Sequence, residues 1–99
     1  MAKNKMRPIH PGEVLREEYL VPLDMSPHAL AVALRVPASR VNDIVLERRG
    51  ITADTAARLA RFFGTTPEFW LNLQAAYDLK TLATTRRIKQ DVRPLNAQS

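Results

Sequence analysis

Between Ser26 and Gly50 the apolar positions repeat at helical spacing twice, with a break between the repeats. Leu30, Ala31 and Leu34 make the first stripe; Val41, Ile44 and Val45 make the second at i, i+3 and i+4. Ser26 followed by Pro27 predicts the first helix start, since the hydroxyl can cap a free N–H and proline suits the first turn. The break falls at Arg35-Val36-Pro37, because the residue before a proline is pushed out of helical geometry. The second helix is expected to resume by about Ala38, so this stretch reads as two short helices and a tight turn.

The same periodicity predicts three more helices. His10-Pro11-Gly12-Glu13 leads into a helix from Val14 to about Leu20, closed by Pro22. Val14, Leu15 and Tyr19 form its inward face, and Arg16, Glu17 and Glu18 its wet one. Ile51 is placed to plug the core, while Thr52 caps a helix with Asp54 in its first turn. Ala56, Leu59, Ala60 and Phe63 share one face of it, and Gly64 ends it. Thr66-Pro67-Glu68 repeats the start signal for a helix carrying Phe69, Trp70, Leu73, Ala76 and Tyr77. Short links and no requirement for a central sheet predict an all-α, five-helix domain over residues 9–79.

The two ends read differently. Residues 1–8 are polar and basic, a flexible N-terminal arm. From Lys80 the helical signal weakens, and Ile88, Gln90 and Val92 alternate with Lys89, Asp91 and Arg93 before Pro94. This short C-terminal tail is expected to be extended or helical. A lone strand is marginal by itself, which makes residues 80–99 a candidate dimerisation or partner element.

Composition narrows the function. Ninety-nine residues hold one compact domain and a tail. There is no cysteine, so neither disulfides nor thiolate metal sites hold the fold, as suits a cytoplasmic protein. No apolar run reaches membrane-span length, and no secretory signal is present, so no membrane association is expected. Net charge is +5, unevenly spread: residues 13–34 carry four acids and one base, whereas 35–49 carry four bases and two acids and 80–93 five bases and one acid. A polyanionic partner fits those basic segments.

The face of the second motif helix opposite its apolar stripe sharpens that choice. It carries Ala38, Ser39, Arg40, Asn42 and Asp43, with Arg48 and Arg49 directly after it. Short hydrogen-bonding side chains beside an arginine suit reading base edges, and a second helix lying in the major groove is the helix-turn-helix arrangement. Arg40 suits a bidentate contact to guanine, Ser39 a base edge or phosphate, and Ala38 a thymine methyl. Asp43 either accepts from cytosine or pairs with Arg40 one turn back. Ser26 and His28, at a helix N-terminus, and Arg48 and Arg49 are the phosphate candidates. His10, Glu13 and Glu17 make a weak metal or acid–base set, better read as organising the first helix. Phe69, Trp70 and Tyr77 have the spacing of packing residues rather than of a base-stacking platform. No catalytic constellation, metal site or cofactor motif rises above background, so an enzyme is not expected.

Five motifs carry a resemblance: H-P-G-E-V-L at 10–15, L-R-V-P-A-S-R-V-N-D-I at 34–44, R-R-G-I-T at 48–52, R-L-A-R-F-F-G-T-T-P-E-F-W-L-N-L-Q at 58–74 and Y-D-L at 77–79. Together they resemble the HigA-type antitoxins, also called virulence-associated protein I, of the phage-repressor-like (XRE) helix-turn-helix superfamily. The resemblance implies a homodimer that binds double-stranded operator DNA at an inverted repeat in its own promoter. It also implies a partner toxin, an mRNA-cleaving ribonuclease of the RelE-like fold. The alternative is a stand-alone helix-turn-helix regulator with no toxin. Two positions depart from the pattern: Arg35 stands where such turns often carry glycine, and Pro37 where a serine or threonine cap is common.

Overall fold

The computed structural model describes residues 7–96, and its elements there are all helical. The first helix, α1, runs through Pro11–Val14, a π-helical stretch Leu15–Leu20, and Val21–Leu23. It starts where His10 Nδ1 accepts a hydrogen bond from the Gly12 N–H at 2.8 Å. It passes Pro22 instead of stopping there. Proline has no N–H and its ring crowds the carbonyl four residues back; the wider π turn, in which the Val21 N–H reaches the Arg16 carbonyl, accommodates both.

The motif helices are α2, Pro27–Leu34, and α3, Ala38–Val45; α4 is Ala53–Phe63 and α5 is Pro67–Thr81. The expected caps are in place. Ser26 accepts from the Ala29 N–H at 3.0 Å, Thr52 from that of Thr55 at 3.4 Å and Thr66 from that of Phe69 at 3.1 Å. Each relieves one of the free donors at a helix start. Pro37 precedes α3 without a side-chain cap.

The ends of α1 to α4 share one device. Asp24, Arg35, Glu47 and Gly64 all take left-handed backbone angles, with φ of 52°, 61°, 63° and 74°. After each, the next N–H reaches back five residues: Met25 to Leu20, Val36 to Ala31, Arg48 to Asp43 and Thr65 to Ala60. This Schellman closure normally favours glycine. Arg35 adopts the conformation a glycine would have, so the turn between α2 and α3 stays tight.

Leu15, Leu30, Val41, Ile44, Leu59 and Trp70 are the large residues sealed most completely in the core, with Leu20, Leu34, Val45 and Ile51 around them. The Trp70 indole N–H donates to Thr65 Oγ1 at 2.8 Å, so its one polar atom is satisfied inside an apolar site. The tail forms a sixth helix, α6, Thr85–Asp91, with no buried residue. The helical option therefore holds over the extended one. Without a neighbouring strand, the backbone pairs locally, Ile88 N–H to Thr84 O at 2.9 Å and Val92 N–H to Ile88 O at 2.8 Å. Most of the basic arm, residues 1–6, and residues 97–99 lie outside the described residues.

Candidate nucleic-acid interface

Helix α3 is amphipathic in the required sense. Val41, Ile44 and Val45 are buried, and Ser39 and Asn42 are exposed on the far side. Ala38, Arg40 and Asp43 lie half-buried along the edges of that exposed face. Leu46 follows one turn after Asn42 and is 57% exposed, a position the apolar pattern did not single out.

Three parts of the chain hold the C-terminal end of α3. The first is the H-P-G-E segment: a Cβ on Gly12 would stand 1.8 Å from the Ile44 carbonyl oxygen, so only glycine lets α1 approach α3 this closely. The second is Arg16 of α1, which donates to the Val45 carbonyl and pairs with Glu47 at 3.4 Å. A cation there also suits the negative end of the helix dipole. The third is Gln74 of α5, whose Oε1 accepts from the Ile51 N–H at 2.6 Å while its Nε2 donates to Asp78 at 2.9 Å. These roles were not legible in the local pattern, because each joins residues more than twenty positions apart.

The candidate reading residues divide. Ser39 and Asn42 are exposed to solvent, whereas Arg40 donates to Asp54 of α4 at 3.0 Å. Asp43 does not pair with Arg40. Its carboxylate lies 2.9 Å from Arg48 and 3.8 Å from Arg49, because the left-handed Glu47 folds the chain back over α3. The Arg48 and Arg49 N–H groups both bond the Asp43 carbonyl, at 2.8 and 3.2 Å, which brings their side chains over the carboxylate. Two arginines therefore sit at the end of the helix, gathered by one acid. At the other motif helix, Ser26 and His28 are exposed at the start of α2.

The remaining candidates settle as packing or capping groups. His10 is buried, edge-on to Tyr77 at 4.8 Å, and burial lowers its pKa, which keeps Nδ1 available as the acceptor for Gly12. Glu13 makes a two-pronged pair with Arg7 at 2.9 and 3.0 Å, and that bonding holds its carboxyl below the usual range. Glu17 pairs with Arg16 at 2.9 Å. Among the described residues no group of histidines and acids is placed to hold a metal ion. Trp70 is buried, and Phe69 packs edge-on against it at 5.0 Å. No described helix is long and apolar enough to cross a membrane.

Comparison with known proteins agrees with this geometry. A helix-turn-helix family model matches residues 15–70. Virulence-associated protein I of Dichelobacter nodosus is 55% identical over 97 residues, covering 98% of this chain and 90% of the relative. Antitoxin HigA-1 of Vibrio cholerae is 43% identical over 79 residues, 80% of this chain and 74% of its own. Among solved structures, the Pseudomonas aeruginosa antitoxin HigA with the higBA promoter superposes with a TM-score of 0.86 at 55% identity, covering 90% of this chain and 99% of that one.

Proposed function

The chain belongs to the helix-turn-helix family and, within it, to the HigA-type antitoxins named virulence-associated protein I, and from that premise we propose that it binds operator DNA as a homodimer, represses its own promoter and neutralises an RNA-cleaving toxin. Members of this family are DNA-binding regulators, not enzymes. The observation that supports the reading best is α3 itself, sealed into the core on one face and presenting Ser39 and Asn42 on the other.

In this reading α3 enters the major groove. Ser39, Asn42 and Arg40 meet base edges, Ala38 touches a thymine methyl, and Asp43 holds Arg48 and Arg49 toward the backbone more than it reads a base. Ser26 and His28 approach a phosphate at the start of α2, where free N–H groups and the dipole favour an anion. The tail, residues 80–99, is the element for dimerisation or for the toxin, which we take to be RelE-like. Leu82, Ile88 and Val92 stand 43%, 46% and 62% exposed there, apolar surface available for a partner.

A footprint on the gene's own promoter tests this. A two-fold dimer is expected to protect an inverted repeat with half-sites about 34 Å apart. Arg48→Ala or Arg49→Ala is expected to weaken binding to all sequences and to lower the salt slope by about one unit. An unprotected promoter would remove the autorepressor reading. Failure to rescue growth when co-expressed with the neighbouring reading frame would leave a stand-alone regulator instead.

A further inference from the structure

Arg40 does not hang free beside the groove face. Its NH1 donates to Asp54 Oδ2 at 3.0 Å, and the same oxygen accepts from Arg58 Nε at 2.9 Å. Arg58 in turn donates through NH1 to the Leu34 carbonyl at 2.9 Å, at the last turn of α2. One chain of polar contacts thus runs from the end of α2, through the first turns of α4, to the start of α3.

We propose that Asp54 is a positioning residue for base recognition, fixing the direction of the Arg40 fork so that specificity depends on a residue outside the helix-turn-helix pair. The proposal rests on Arg40 reading a base. A guanine contact needs two donors presented side by side, and with NH1 committed to Asp54 the Nε and NH2 edge of the guanidinium remains for guanine O6 and N7. A loose arginine must give up its rotamer freedom on binding, whereas a tethered one has surrendered part of it already. Asp54 itself is kept in place by Arg58, which also holds its carboxyl below the usual range.

Stability does not account for the arrangement. Arg40, Asp54 and Arg58 have side chains 30%, 56% and 41% exposed, and ion pairs this open contribute little to folding. An acid near phosphates would ordinarily oppose binding. Here two arginines share one carboxylate, so the cluster keeps a net positive charge toward DNA.

The test compares full-length wild type, Arg40→Ala, Asp54→Asn, Asp54→Glu and the Arg40→Ala/Asp54→Asn double variant on the footprinted operator and its single-base substitutions. Discrimination at each base pair is the readout, because Asp54→Asn removes a negative charge and is expected to tighten binding to every sequence. Arg40→Ala should relax one base pair by about tenfold. Asp54→Asn should relax the same base pair by roughly threefold or more, add nothing to Arg40→Ala, and lower Tm by only about a few degrees through the lost helix-start charge. Asp54→Glu, which restores the carboxylate, should recover discrimination. Unchanged discrimination in Asp54→Asn, or additive losses in the double variant, would overturn the positioning role. Equal weakening of all sequences by Arg40→Ala would instead overturn the base-reading role of Arg40 on which the proposal rests.

Discussion

At its C-terminal end α3 is held by close backbone contacts, and at its N-terminal end by an exposed ion pair. Gly12 lies directly against the Ile44 carbonyl, Arg16 reaches that of Val45, and Gln74 takes the N–H of Ile51 just beyond. At the other end Pro37 offers no cap, Arg35 is left-handed, and Arg40 leans on Asp54 in solvent. The first set is one close packing contact and two side-chain hydrogen bonds to the backbone, each specific to its residue. The second is an ion pair open to solvent, which adds little to folding energy and acts instead on the direction of one side chain, Arg40. The helix is anchored by the core at one end and held at the other by exposed side chains.

Gly12→Ala is the hardest test of that contrast. A methyl group 1.8 Å from a carbonyl oxygen cannot be accommodated unless α1 and α3 separate. The substitution is expected to cost about 3 kcal/mol or more and to lower Tm by about 12 °C or more. A variant that melts like the wild type would mean that the α1–α3 contact is not what places the helix.

Gln74→Leu comes next. It keeps the side-chain size but leaves the Ile51 N–H without its acceptor, a loss of about 1–3 kcal/mol measurable by denaturant unfolding. Operator discrimination should be unchanged in the folded fraction, since the defect lies at the anchored end. A loss of discrimination at matched folding would mean that both ends govern reading.

How much of this was readable beforehand follows the same division. The starts at Ser26, Thr52 and Thr66 were legible, because a cap joins residues three apart. So was the buried stripe of α3, which is a local period. Arg40 was singled out by type and place, but its partner Asp54 was not, because that contact depends on how α4 docks. The role of Asp43 depended on the left-handed Glu47, which no residue preference announces. Glycine at position 12 and glutamine at position 74 stood within the quoted motifs without a stated reason; the structure supplies one for each, at the end of α3. Pro22 was read as a stop because proline usually closes a helix, whereas a π turn carries α1 past it through a wider hydrogen-bond register that the sequence pattern does not display. Period-two alternation in the tail was misleading for a physical reason: with no packed face, neither period is enforced.

Arg35→Gly is the smallest effect and tests the exposed end alone. A left-handed non-glycine residue costs about 1–2 kcal/mol, while glycine in the unfolded chain returns about 0.5–1 kcal/mol of that as added freedom. The substitution should therefore stabilise the fold by about 0.5–1 kcal/mol and raise Tm by about 2–8 °C. Glu47 has the same backbone conformation, but its side chain is tied to Arg16. The Arg35 N–H bonds the end of α2, as a glycine N–H there would, and among the described residues no hydrogen bond or ion pair holds its side chain, so little is lost with it. If the glycine variant is more stable yet binds operator less tightly at low salt, the arginine is retained for its charge beside the DNA at the cost of backbone strain. If it is no more stable, the left-handed turn into α3 carries no strain that glycine relieves, and the Arg40–Asp54 pair is what distinguishes this end from the other.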